Sequence, residues 1–316
     1  MKYVGILRQQ SSNNAKSMLL LIMFPILLVG LTWIFCALAY PQLSGYTPDG
    51  FYVMAYSEAF ALYAPIIAGA VAIWFLIAYW FHAQMIASAT NSKPLERRDN
   101  KRVYNLVENL CMAQGMAMPK VNVIEENSLN AFASGINKKS YTVTLTRGII
   151  ERLDDAELEG VIAHELSHIR NRDVRLLIFS IIFVGIFTFI AQTAMRALWY
   201  APGNSRSNKD GKSAIVMVLI VAALAAVGYF FSLLLRFAIS RKREFMADAG
   251  AAAMTRNPHA LAMALRKISG DPTIASVKRQ DVAQLFIEHP LTKKGLSSFF
   301  ATHPPIQKRI EILEQF

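Results

Sequence analysis

Apolar residues along this chain gather into four long runs, separated by stretches in which apolar and polar positions alternate. Ser17 to Tyr40, Ala59 to Phe81, Leu176 to Met195 and Ser213 to Leu235 contain no Asp, Glu, Lys or Arg. A helix needs about 20 apolar residues to cross the hydrocarbon core of a bilayer, so the pattern predicts four transmembrane helices. A buried core helix is the ordinary alternative for one run of this length, and a poor one for four. Pro25 and Pro65 fall inside the first two runs, where a membrane helix tolerates proline better than a soluble one. Trp74, Tyr79 and Trp80 collect towards the end of the second run, as an interfacial aromatic belt does. Ala37-Leu38-Ala39 looks like a signal-peptidase site, but the run is longer than a typical signal core and a second span follows. An uncleaved helix is therefore expected.

The stretches between the runs carry shorter periods. Apolar residues at 103, 106, 107, 110 and 111 predict a helix over Lys101 to Gln114, ended by Gly115 and Pro119. Lys120 to Ile124 and Tyr141 to Leu145 alternate like strands, with Asn130-Ala131-Phe132-Ala133-Ser134-Gly135 as a short strand or loop between them. Together they predict a small sheet with an exposed edge. Asp154 followed by Glu157 resembles a capping box, and the apolar positions 158, 161, 162, 166 and 169 continue it as a helix.

Composition agrees with the membrane reading. Of 316 residues 54% are hydrophobic and only 17% charged, and the net charge is +11. An excess of Lys and Arg points to nucleic acid in a soluble protein, but a membrane protein needs basic cytoplasmic loops in any case, so no nucleic-acid partner is expected. Cys36 and Cys111 are too few for a disulfide framework. Lys2, Arg8 and Lys16 precede the first run, whereas Pro41 to Glu58 has no Lys or Arg. Basic residues return after the second and fourth runs. The positive-inside rule then puts both termini and the middle section in the cytoplasm, with loop 202–212, which carries Arg206, Lys209 and Lys212, as an exception. The expected organisation is an N-terminal segment and first membrane hairpin (1–82), a cytoplasmic section (83–173), a second hairpin (174–240) and a second cytoplasmic section (241–316). Each cytoplasmic piece is small for an independent core, so the two are expected to fold together.

Candidate chemistry lies at the edge of the third run, in Gly160-Val-Ile-Ala-His-Glu-Leu-Ser-His-Ile-Arg-Asn-Arg-Asp173. On a helix, positions i and i+4 share a face, so His164 and His168 can aim ring nitrogens at one ion. Glu165 is turned by about 100°, towards a water activated by that ion rather than the ion itself. Such a pair with a third protein ligand is the donor set of a zinc hydrolase with Glu165 as general base. The ordinary alternative is a surface helix with two solvated histidines, and periodicity alone does not separate the two. A third histidine six residues on is ruled out, because position 174 is Val. Just beyond the fourth run, Glu244 and Asp248 lie four apart. Glu244 is placed to ligate, and Asp248 to accept the spare N–H of a ligating histidine; the ordinary alternative for such a pair is an exposed helix with Glu and Asp against basic neighbours. A hairpin of the third and fourth runs returns the chain to the same side of the membrane, which brings the two motifs to similar depth.

HELSHIRNRD (164–173), SRKREFMADAGAA (240–252), NAFASG (130–135) and THPPIQKRI (302–310) together resemble the M48 family of zinc metallopeptidases, and within it the HtpX-type membrane proteases. The resemblance covers nearly the whole chain. It implies an α-helical integral membrane protein with a cytoplasmic α+β gluzincin-type zinc metalloprotease domain, holding one Zn²⁺ on His164, His168 and Glu244. It also implies that Asn130 and the backbone of Ala131 and Phe132 bind substrate as an added strand, and that His303 and Arg309 lie near the cleft, in reach of an oxyanion. Family members of this kind sit in the cell inner membrane and cleave damaged or misassembled membrane proteins. Three rivals fit less well. An inactive scaffold does not account for intact catalytic positions, a transporter needs ionisable groups inside its spans, and a prenyl-protein protease needs more than four spans to enclose its chamber.

Overall fold

The computed structural model describes residues 6–199, 218, 220–230, 241–270, 286–287 and 304–316. Contacts divide them into two units. The described residues of Met18–Tyr79 and Ile182–Leu235 form one, and those of Met1–Ser17, Trp80–Ile181 and Arg236–Phe316 form the other.

The first of these is built from long apolar helices. α1 (Ile6–Ala39) and α2 (Tyr56–Thr90) run for 34 and 35 residues, about 50 Å each at 1.5 Å per residue. Both outlast the apolar runs that predicted them, because the flanks 6–16 and 82–90 contain no Gly or Pro to stop the backbone ladder. Pro25 and Pro65 are accommodated inside them. α6 (Asp173–Trp199) covers the third run. Among the described residues, three helical segments are long and apolar enough to cross a membrane: Ser11–Ala39, Tyr56–Thr90 and Asp173–Thr193. The expected fourth span, Ser213 to Leu235, is described mainly over α7 (Ile220–Phe230), and the rest of it, with loop 202–212, lies outside the described residues. Large apolar side chains such as Ile22, Ile26, Trp33, Ile66 and Ile73 are exposed on α1 and α2, a distribution suited to lipid rather than water. Where the helices meet they do so through aromatic rings: Phe24 stacks on Phe183 at 4.0 Å and Trp74 on Phe189 at 5.9 Å. A two-stranded ribbon, β1 (Gly45–Tyr46) with β2 (Tyr52–Val53), joins α1 to α2.

The other unit is α+β. Its sheet has the order β3-β4-β6-β5, from β3 (Lys93–Pro94), β4 (Lys120–Ile124), β5 (Ala131–Ser134) and β6 (Thr142–Thr146). β4 and β6 are parallel, with Lys120 opposite Thr142 and Ile124 opposite Thr146. β5 turns back antiparallel on β6 through Gly135, whose φ of +113° and close approach to Ser140 (a Cβ would lie 2.5 Å from its carbonyl oxygen) exclude any other residue. The sheet has two edges: β3 is the exposed one, whereas all four residues of β5 are buried. α5 (Asp155–Asn171) packs on it from one side, and the chain's own Ile287 N–H donates to Ala131 O at 2.8 Å.

α3 (Lys101–Ala113) forms where its period places it, started by Asn100, whose side chain accepts from Val103 N–H. α4 (Arg147–Arg152) leads into α5, which begins with a complete Asp154/Glu157 capping box. α5 is the central helix, packed against α3, β5, β6, α8 (Arg241–Thr255) and α9 (Pro258–Gly270). Leu158, Val161, Ile162 and Leu166 have no exposed surface, each burial contributing roughly 1.5–3 kcal/mol. α10 (Ile306–Leu313) closes the unit against α9 and α8. Neither α9 nor α10 was anticipated from the sequence pattern.

α8 approaches α5 closely because Gly250 faces Ser167, where a Cβ would lie 2.5 Å from the hydroxyl and 3.1 Å from Ser167 Cβ. Gly250→Val therefore forces the two helices apart. The expected result is a loss of roughly 1–3 kcal/mol of stability together with weaker metal retention, measured by thermal unfolding and metal analysis of the purified protein. Unchanged stability would show that Ser167 yields without moving α8.

Candidate metal centre

α5 and α8 bring the two halves of the candidate site together. His164 and His168, one turn apart on α5, point their rings at each other, Nε2 to Nε2, at 3.2 Å. Glu244, in the first turn of α8, lies 3.7 Å from each of these nitrogens through its two oxygens. A tetrahedral Zn²⁺ with bonds near 2.0–2.2 Å separates its ligand atoms by about 3.4 Å. Donor spacings of 3.2–3.7 Å thus fit one such ion without rearrangement, and the set of two imidazoles and a carboxylate suits zinc. Among the described residues this is the cluster of His, Cys, Asp and Glu with metal-holding geometry.

The surroundings hold the rings in one orientation. Asp248, a turn beyond Glu244, lies 2.9 Å from His164 Nδ1, which leaves His164 Nε2 for the cation. Arg309 on α10 grips Asp248 with two bonds, Nε to Oδ2 at 2.9 Å and Nη2 to Oδ1 at 2.7 Å. Its Nη1 reaches Ile287 O at 3.3 Å and lies 3.6 Å from Glu244. The guanidinium is wholly buried. A charge so deep is tolerable only when paired in this bidentate way.

Protonation follows the same geometry. Burial pulls the His164 imidazole down, but its hydrogen bonds to Asp248 and Glu244 outweigh burial and raise it to about 9. A cation taken up on that ring would have to displace its proton below that pH. Burial pushes the Glu165 carboxyl up. Burial also acts upwards on Asp248, but Arg309 and His164 more than offset it and hold the carboxylate below its usual range.

The residues expected around a substrate are placed less simply. Asn130 is buried just before β5, its side chain accepting from Ala131 N–H at 3.1 Å and its backbone N–H donating to Thr146 Oγ1 at 3.1 Å. Phe132 is buried edge-on against Phe286, ring centres 4.6 Å apart. His303 lies outside the described residues. Sequence reading missed Asp173. It closes the motif stretch with no role read for it from the sequence, and its Oδ2 lies 3.2 Å from His168 Nδ1. The helix break that allows this is Arg172, left-handed at φ +60° between α5 and α6. A carboxylate shortly after the second motif histidine was the available signal.

Comparison with known proteins decides the lineage. Residues 97–316 match the sequence profile of peptidase family M48. The chain belongs to that family. Within it, this M48 chain is HtpX-like: it is 57% identical to the "Protease HtpX homolog" of Bacteroides fragilis over the whole of both chains. A "Protease HtpX homolog" of Lactobacillus acidophilus is 38% identical, over 79% of this chain and 85% of its own. Among solved structures, S. mikatae Ste24p superposes with a TM-score of 0.45 at 20% identity, over 82% of this chain and 64% of that one, a likeness too distant to bear on the site. The M48 family implies a metal ion, typically zinc, and the His164, His168 and Glu244 cluster is compatible with it.

Proposed function

We propose that this M48 chain is a membrane-bound zinc endopeptidase whose ion is held by His164, His168 and Glu244. The observation that carries the reading is the convergence of those three buried or half-buried donors at 3.2–3.7 Å beside a buried carboxyl, Glu165. When bound, Zn²⁺ supplies Lewis acidity towards a peptide carbonyl and a water that is acidic near neutral pH. Glu165 takes the proton of the attacking water and passes it to the departing amide nitrogen. Its raised proton affinity suits it to both transfers. Asp248 keeps the His164 hydrogen on Nδ1, and Arg309 keeps Asp248 ionised and in place. The bidentate grip supports that positioning role for Arg309 over the oxyanion role implied by resemblance. His303 keeps the oxyanion role as a proposal.

An extended peptide adds along β5, where Asn130, Ala131 and Phe132 present the sheet edge. Ala131 O already accepts from Ile287 N–H, so a peptide pairing there replaces that bond. The substrates are proteins, damaged or misassembled membrane proteins among them. The apolar spans anchor the enzyme in the cell inner membrane with the protease part and both termini cytoplasmic, as the basic residues of the flanks favour. Only Arg172 separates the end of α5 from a candidate span, which supports a site working on chains at a membrane surface.

Detergent-purified protein is expected to cleave casein, to lose that activity on treatment with a zinc chelator and to regain it with added Zn²⁺. Cleavage that persists after zinc is stripped to undetectable levels would end the proposal.

A further inference from the structure

The two ligating histidines are each backed by a carboxylate, and each carboxylate is held by a different end of the chain. Asp248 behind His164 is gripped by Arg309 of α10. Asp173 behind His168 is held by Asn13, a residue of α1 ahead of its main apolar run. Asn13 Nδ2 donates to Asp173 Oδ1 and, at 2.8 Å, to Asn171 O. Asn13 has no exposed surface and Asp173 almost none. The same amide therefore bridges the last residue of α5 and the first of α6, across the left-handed Arg172. Arg243 Nη1 adds a longer bond of 3.4 Å to Asp173 O.

We propose that Asp173 and Asn13 are positioning residues of the metal centre: Asp173 fixes the His168 ring by accepting its Nδ1–H, and Asn13 fixes Asp173. Three features support a function beyond helix capping. A capping carboxylate needs only the backbone at its own helix start, whereas Asp173 Oδ2 is directed at an imidazole 3.2 Å away. A buried asparagine in a long apolar-flanked helix is costly unless its amide is satisfied, and here both acceptors belong to the hinge behind the histidine. The carboxylate–histidine arrangement orients the ring and raises its basicity towards a metal. The first turns of α1 are thus part of the metal site rather than a leader to the first span.

This inference rests on the metal-site reading, and the test separates their failures. Zinc affinity of the full-length, detergent-solubilised protein is measured by competition with a chromophoric chelator, beside thermal unfolding of the metal-free form. Asp173→Ala is expected to weaken zinc binding about 10- to 100-fold, Asp173→Asn less, because a carboxamide oxygen still accepts, and Asn13→Ala by a smaller factor. In a double-mutant cycle Asn13→Ala adds little to Asp173→Ala, since it acts through that residue. Ser17→Ala, which removes only a hydroxyl bonded to Asn13 O within α1, leaves affinity unchanged. The proposal is overturned if Asp173→Ala binds zinc within twofold of the parent, or if the two substitutions add independently. A parent that binds no zinc at all overturns the metal-site reading as well. Lower metal-free melting temperatures with unaltered zinc affinity would reduce both residues to a helix junction, and would also overturn it.

Discussion

Glu165→Gln is expected to abolish peptide cleavage while leaving the metal in place. Gln has the size and the hydrogen-bonding reach of Glu but cannot take up a proton. Glu165 is one residue from His164 on the same helix and is 2% exposed, so an isosteric change disturbs neither packing nor ligands. The carboxyl is not one of the clustered donors, which is why zinc content is expected to match the parent. General acid–base groups contribute about 10²- to 10⁴-fold to rate, and the loss should fall in that range. Casein cleavage and metal analysis on the same preparation provide the check. A variant that cleaves as fast as the parent would show that the proton goes elsewhere.

Glu244→Ala is expected to act the other way round, through the metal. Removing one of three protein donors leaves two imidazoles, and the loss of zinc affinity should exceed the roughly 10- to 100-fold typical of residues behind the ligands. The substitution removes a buried carboxylate 3.6 Å from the Arg309 guanidinium, but Asp248 still pairs that guanidinium through two bonds. The fold is therefore expected to survive, with circular dichroism close to that of the parent. A full zinc complement in Glu244→Ala would mean that a different group supplies the third bond.

These outcomes depend on features with very different visibility in the sequence. The motif histidines are one turn apart, and a helix fixes their common face whatever surrounds it. Local capping is equally legible, since the Asp154/Glu157 box needs only four consecutive residues. Apolar runs announce α1, α2 and α6 because about 20 consecutive apolar residues mark a long helix whatever covers it. The helices themselves extend beyond those runs, through flanks free of Gly and Pro. Asn13 was overlooked for that reason: it lies on the polar overhang of α1, where composition carries no sign of a partner.

Sequence alone thus determined three long apolar helices, the strands flanking NAFASG, and the candidacy of His164, Glu165, His168 and Glu244. Each of these is local, or a pairing of two local motifs that a hairpin would bring together. Tertiary structure decided what stands behind them. Arg309 is bound to Asp248, and Asp173 lies against His168. β5 is covered by Ile287 rather than open. In each case the deciding contact joins residues far apart in the chain or across a helix break, as with Asn13 and Asp173, 160 positions apart. Periodicity records which face of an element is buried, but not which distant side chain it is buried against.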